Sequence, residues 1–295
     1  MRHAKVAGSS PVGIIFYIHY HVCKKFFCRY NMSDCYYTSS YTIDKGNYDG
    51  VIDCTYVLMM EDSKRKKQLL RQIEDAKITT KAVIQYNKGY KQCKKNLRVN
   101  KPNYDLEDAL KNVFKHALDQ GYSRIMVLED DCEFDERIRD PAVVNNLRTF
   151  LNERDPEIYN LGTTISIPSP IDVLLHNNHQ RLLFTTCAHA VIYNKKYMEN
   201  ALTREFMSGH TDFEMNRIWS KYTYMYPLAY QKITETENAK EGWGDAYFLL
   251  NNTMFKPLKL HTQVQPGFDR LKIVFDYISV VLFSIFLFYV IRKLK

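Results

Sequence analysis

Apolar positions along the chain fall into short continuous runs separated by segments of helical period. Residues 50–60, GVIDCTYVLMM, form a strand-like run. In the following EDSKRKKQLLRQI, Asp62 or Ser63 is placed to cap a helix whose apolar positions include Leu69, Leu70 and Ile73. KAVIQYN (81–87) reads as a second strand. After a polar, Lys- and Asn-rich connection, Leu106, Ala109, Leu110, Val113, Phe114, Ala117 and Leu118 make one helical face. That helix is expected to start at Asn103 or Asp105 and to end at Gly121. A third strand follows at once in RIMVLEDDCEF (124–134), which runs from apolar residues straight into Glu129, Asp130 and Asp131. Further strand-like runs occupy 158–167, 181–193 and 222–232, with helical patches at 196–202 and 212–220.

Strand, helix, strand, helix, strand predicts an α/β domain with a mostly parallel sheet, as one unit from about residue 48 to 268. Ligands of such sheets bind at the carboxyl ends of the strands. The acidic trio lies at that end of its strand.

The two ends of the chain read differently. Residues 273–291 are apolar apart from Asp276 and two serines, with no polar face, which predicts a transmembrane helix. Basic residues flank it on both sides (Arg270 and Lys272; Arg292, Lys293 and Lys295), so charge does not orient it. At the other end, VAGSSPV (6–12) back-translates through GGT-TCG-AGT-CCC, which resembles the T-arm of a transfer-RNA gene. Residues 1–31 are therefore expected to be a spurious extension, with translation starting at Met32. The rival signal-anchor reading of VGIIFYIHYHVC has a short apolar run broken by His19 and His21.

Composition changes this picture little. The 41 Lys+Arg against 33 Asp+Glu give a net charge of +8, compatible with an anionic ligand or a lipid surface. There is no basic stripe interleaved with stacking aromatics, so nucleic acid is not an expected partner. Seven cysteines (23, 28, 35, 54, 93, 132 and 187) show neither CxxC pairs nor zinc spacing. They read as reduced thiols, and Cys132 as a packing residue. With the apolar helix at the very end, the expected topology is a tail-anchored protein with a cytosolic domain. The sequons at Asn31 and Asn251 would matter only in a lumen.

Adjacent carboxylates at a strand end repel one another and lose hydration, so a cation belongs among them. Glu129 and Asp131 form an acid-x-acid pair whose side chains share one side of an extended chain, expected to hold Mn²⁺ or Mg²⁺ against a diphosphate. Asp130 then faces elsewhere, toward a donor ribose hydroxyl. The plainer reading is a solvated strand end capping the next turn.

Four segments, in order, resemble glycosyltransferase family 25, the group of bacterial lipooligosaccharide and collagen galactosyltransferases. YVLMMEDSKRKKQLLRQI is similar to its opening strand and helix, and ALKNVFKHALDQGYSRIMVLEDDCEF to the helix before its LEDD strand. CAHAVIYNKKYMENAL and TDFEMNRIWSKYTYMYPLAYQK are similar to two later segments, the last ending in Pro-x-x-x-Gln. The resemblance covers most of residues 50–235. It implies a GT-A, Rossmann-like fold and inverting transfer of galactose or glucose from a nucleotide sugar, such as a UDP-hexose, to a glycan or protein hydroxyl. It also implies a general base, for which Asp212 holds the matching position, with Glu214 a poorer choice; a helix N-cap is the plainer role for Asp212. His261, where some GT-A enzymes place a late metal ligand, stays outside the assignment. The sequence departs from the family where Met59-Met60-Glu61 replaces Asn-Leu-Asp, and Lys111-Asn112 replaces Ser-His. Those departures keep open a non-catalytic scaffold that binds a glycan or partner. No Gly-rich triphosphate loop supports a nucleotidyltransferase.

Overall fold

The computed structural model describes residues 29–33, 35–186, 189–206, 211–231, 249–260 and 264–294. Most of the expected 1–31 extension, and His261, lie outside them.

The chain runs β1 (Arg29–Ser33), β2 (Tyr36–Thr42), β3 (Cys54–Met60), α1 (Lys66–Ala76), β4 (Lys81–Asn87), α2 (Pro102–Asp119), β5 (Arg124–Glu129) and β6 (Cys132–Phe134). After a 3₁₀ turn at Glu136–Arg139 come α3 (Pro141–Arg154), β7 (Ile158–Asn160), β8 (Ser166–Pro168), α4 (Pro170–Leu174), β9 (His179–Thr185) and β10 (Ala190–Asn194). Then follow α5 (Lys195–Thr203), α6 (Thr211–Met215), β11 (Lys221–Tyr224), β12 (Ala229–Gln231), a π turn at Asn251–Phe255 and α7 (Val264–Leu294).

Ten strands form one mixed sheet in the order β1-β2-β4-β3-β5-β10-β7-β11-β9-β8, and β12-β6 makes a small second sheet. The expected parallel sheet exists at its centre, where β4, β3 and β5 pair in parallel. Outward from there β2 joins β4, and β10 joins β5, in antiparallel register. The sheet also begins earlier than residue 48, because β2 pairs with the whole of β4.

Alternation along the central strands feeds two cores. Val57 and Met59 of β3 and Met126 and Leu128 of β5 face α1 and α3, whose Leu69, Ile73, Leu147 and Leu151 are buried there. Tyr56, Leu58, Ile125 and Val127 face α2, α5 and α6 through Val113, Phe114, Met198 and Met215. This two-sided burial explains why β3 and β5 read as continuous apolar runs. Glu129 continues the Ile125–Val127 face and so emerges on the α6 side.

Several local expectations are corrected. The helix predicted from Asp62 or Ser63 starts at Lys66, with Arg65 at an N-cap that has no side-chain bond. Ser63 lies ahead of that N-cap: its Oγ accepts from the Arg65 N–H at 3.3 Å while its hydroxyl donates to Asp130. α2 starts at Pro102, where the fixed φ suits a first turn. Asp105 inside it is engaged by Lys95 and by the Asn87 amide. Gly121 does end α2, at φ 74, with its N–H on the Leu118 carbonyl. Each of the three later strand-like runs divides into two strands. In the last, Pro227 lies between β11 and β12, where it has no N–H for a ladder.

The thiol reading is also corrected, since Cys35 and Cys93 form a disulfide across 58 residues of sequence. No local spacing announces the pair, because the β2–β4 pairing brings the two residues together. Among the described residues Cys54 and Cys132 are free, and both are buried. The packing role expected of Cys132 stands.

The apolar C-terminal stretch is a helix throughout, and Pro266–Leu294 is long and apolar enough to cross a membrane. Its first turns belong to the domain, where Phe268, Leu271 and Phe275 pack with Tyr230, Phe255 and Leu260.

Candidate functional site

β5 ends at Glu129, and Asp130 and Asp131 form the tight turn into β6. Asp130 and Asp131 therefore leave the extended strand instead of alternating along it; Asp130 turns to Ser63 and Arg65, while the charge of Asp131 still bears on Glu129. Glu129 is held by its backbone, whose N–H donates to the His189 carbonyl at 2.9 Å. Burial raises the proton affinity of its carboxyl well above the usual range, and the charges of Asp131, Asp212 and Asp130 add to this. Asp212 thus stands within electrostatic reach of Glu129, although about eighty residues separate them. Asp212 sits in the first turn of α6 rather than ahead of it. The poorer candidate, Glu214, is buried and paired with Arg217 at 3.5 Å.

Asp130 is occupied by the protein itself. Ser63 donates to its Oδ2, and Arg65 Nη1 lies 3.0 Å from its Oδ1. It does not present a free carboxylate to a ribose.

Asp131 is buried, and Gln231 Nε2 donates to its Oδ2 at 3.2 Å. Its Oδ1 is buried with no hydrogen-bond partner. Burial pushes the carboxyl up to about 6, reinforced by the charge of Asp130 and opposed by the Gln231 hydrogen bond and by Arg65. Gln231 reaches this position because β12 pairs with β6, setting Gln231 opposite Cys132. The last residue of the Pro-x-x-x-Gln segment thereby meets the acidic strand end.

Sequence reading missed two residues of this site. His189 is fully buried beside β5, with Nε2 at 3.5 Å from the Ala229 carbonyl and Nδ1 unpaired. Burial pushes it down to about 4, so it is neutral at physiological pH. Gly162 fits β12 against the sheet: a Cβ built there would stand 1.9 Å from the Ala229 carbonyl oxygen and 2.9 Å from His189 Nε2. The Ala-His-Ala triplet at 188–190 and the Leu-Gly-Thr break at 161–163 carry the only local signals for them. Gly162→Ala is expected to cost about 1–3 kcal/mol, because backbone must move to admit the methyl. It should also pull Gln231 from Asp131. An unchanged denaturation midpoint would show that β12 is free to retreat.

Lys111 and Asn112, where the family shows Ser-His, lie on α2. Lys111 donates to Glu107 at 2.7 Å and to the Arg204 carbonyl at 2.9 Å, while Asn112 Oδ1 is buried without a partner. A cleft of about 300 Å³ lined by Gln72, Asp75, Glu133, Glu136 and Arg139 lies beyond β6 and includes none of the candidate carboxylates.

Among the described residues no three His, Cys, Asp or Glu side chains converge at metal-binding distance. The residues present still fit a hard divalent cation sharing its shell with a ligand: Asp131, buried with one oxygen unpartnered, and the half-buried Glu129 at the same strand end.

No family model matches the sequence. No curated protein matches it. Among solved structures, the crystal structure of A197 from STIV is similar at 13% identity and a TM-score of 0.39, covering 61% of this chain and 86% of that chain. A likeness of this degree transfers neither fold detail nor activity.

Proposed function

We propose that the protein is a membrane-attached, metal-dependent glycosyltransferase of GT-A type that moves a hexose from a nucleotide sugar to a hydroxyl of a glycan or protein. The observation that carries this reading is the carboxyl cluster of Glu129, Asp131 and Asp212 at the carboxyl end of a central parallel strand, with Asp131 Oδ1 buried and unpartnered. A carboxyl whose proton affinity is raised by burial and by neighbouring carboxylates, as at Glu129, is a signature of a functional site.

In this reading Glu129 and Asp131 hold Mn²⁺ or Mg²⁺, which when bound offsets charge on the departing diphosphate. Gln231 keeps Asp131 turned toward that place, and neutral His189 adds no charge of its own. Arg65, already on Asp130, supplies a cationic edge at the same strand end for a phosphate. The donor-ribose role assigned to Asp130 gives way to this anchoring of Arg65. Asp212, from the opposite helix, takes the proton of the attacking hydroxyl. The Cys35–Cys93 disulfide favours an oxidising compartment for the domain, in place of the cytosolic side inferred from thiols.

The test is calorimetry with the full-length chain in detergent, using Mn²⁺ and UDP. Replacing Glu129 and Asp131 together by Ala is expected to abolish Mn²⁺-dependent UDP binding while the fold persists. Asp212→Asn should keep binding and lose about 10²–10⁴-fold in transfer or donor hydrolysis. UDP affinity unchanged in the double variant would sink the assignment and leave the scaffold reading.

A further inference from the structure

The C-terminal helix is not a tether hanging from the domain. Ser279 Oγ donates to the Pro168 carbonyl at 2.6 Å, and Lys272, paired with Asp276, donates to Gln180 Oε1 at 2.7 Å. α7 packs against β8 and α4 along this stretch. The domain thus covers one side of the helix as far as Ser279, while Ile273, Val274, Tyr277 and Ile278 on its other side are exposed.

Helix length then fixes where the bilayer must be. Beyond Ser279 only Val280–Ile291 remain before Arg292, a span of about 18 Å at 1.5 Å per residue. The hydrocarbon core is about 30 Å thick. From Ile273 to Ile291 the helix is about 28 Å long, which suffices. A spanning α7 must therefore submerge its Ile273–Ser279 turns. Pro168 and α4, held at the depth of Ser279, then lie about 9 Å below the boundary at Ile273.

The composition of α4 suits that depth. Ile171, Leu174 and Leu175 are 55%, 56% and 66% exposed, a cluster of large apolar side chains facing outward beside the helix. The acidic group of α4, Asp172, is half-buried and engaged within the domain, accepting from Asn177 Nδ2 at 2.8 Å and from the Arg181 N–H at 2.9 Å. Beside them Trp219, 70% exposed, lies under the Arg181 guanidinium at 4.9 Å, an aromatic–cation pair of the kind that settles at headgroup level.

We propose that α4 is a second membrane-attachment element, with Ile171, Leu174 and Leu175 immersed in the acyl–headgroup boundary of the leaflet that α7 enters. The depth of about 9 Å matches the 5–10 Å at which interfacial helices rest. The domain is thereby seated partly in the leaflet at a fixed attitude, rather than free to swing above it.

The test places an NBD fluorophore on Leu174→Cys and, separately, on Leu175→Cys in the full chain reconstituted in phosphatidylcholine vesicles. Val99→Cys serves as control, an exposed site in the connection from β4 to α2, β4 lying in the half of the sheet away from β8. Unsubstituted chain reports background from native cysteines. Both α4 probes should emit to the blue of the control and be quenched by shallow doxyl lipids. Quenching by aqueous iodide should fall about tenfold relative to the Val99 site, because a bilayer interior excludes water. Iodide quenching equal to the control would overturn the proposal. Protection from iodide without doxyl quenching would also overturn it, because a protein surface, not lipid, would then cover α4.

Discussion

Replacing Cys35 and Cys93 together by Ser is expected to destabilise the domain by about 4 kcal/mol. The bridge closes a loop of 58 residues, and loop-closure entropy for that length gives about this figure. The loop encloses β2, β3, α1 and β4, so the constraint acts on the parallel centre of the sheet and the strand beside it. The measurement is a denaturant midpoint of the full chain in detergent, with and without reductant. Reductant should move the natural chain to the midpoint of the double variant and leave the variant unmoved. A natural chain indifferent to reductant would show that the cysteines are not paired in solution. A pair that forms in native membranes also locates the domain, because such bridges persist in oxidising compartments. Peptides spanning Cys35 and Cys93 should then be recovered joined, without reduction, from native membranes.

What the sequence disclosed and what it hid follow one division. Segments marked by a local pattern, a period of apolar positions or a terminating glycine, were legible: the α2 face, the β5 strand and the Gly121 stop all match their expected places. α3 was within reach too: Asp140 caps it at 2.8 Å from Ala142 N, Pro141 opens it, and Val143, Val144, Leu147, Phe150 and Leu151 fall at helical spacing. Interactions between distant segments were not legible. Ser63 is a reasonable cap by local rules, but the helix begins three residues later, and the Ser63 hydroxyl donates to an aspartate sixty-seven residues on. The cysteine pair depends on a strand pairing that no spacing announces.

The candidate site divides in the same way. The acidic trio was visible as composition, and its position at a strand end as pattern. The turn that carries Asp130 and Asp131 was not, because Asp-Asp after an apolar run fits either a continued strand or a turn. Gln231 entered only through a resemblance to a motif, and its contact with Asp131 arises from the small β12–β6 sheet. His189 and Gly162 required the sheet register itself.

Asp131→Asn is expected to stabilise the unliganded protein at neutral pH, by up to about 3 kcal/mol. The Asp131 carboxyl is pushed up to about 6 in the folded chain, against 3.8 for an ordinary aspartate. The folded state therefore holds a proton that the unfolded chain has already released between those two values. Stability falls as pH rises through that window, and the full penalty applies above it. At about 1.4 kcal/mol per unit, roughly two units of displacement give the stated size. Near pH 4 the carboxyl is protonated in the folded state and partly so in the unfolded one, so the advantage of Asn should nearly vanish. The neutral amide keeps an oxygen for Gln231. Mn²⁺ with UDP should reverse the order at neutral pH. A ligand at a thousand times its dissociation constant stabilises by about 4.1 kcal/mol, available to the natural chain and denied to the variant. Thermal midpoints at the two pH values, each with and without Mn²⁺ and UDP, test all of this. A variant equally destabilised at both pH values would make Asp131 a structural hydrogen-bond acceptor and remove it from the proposed metal site.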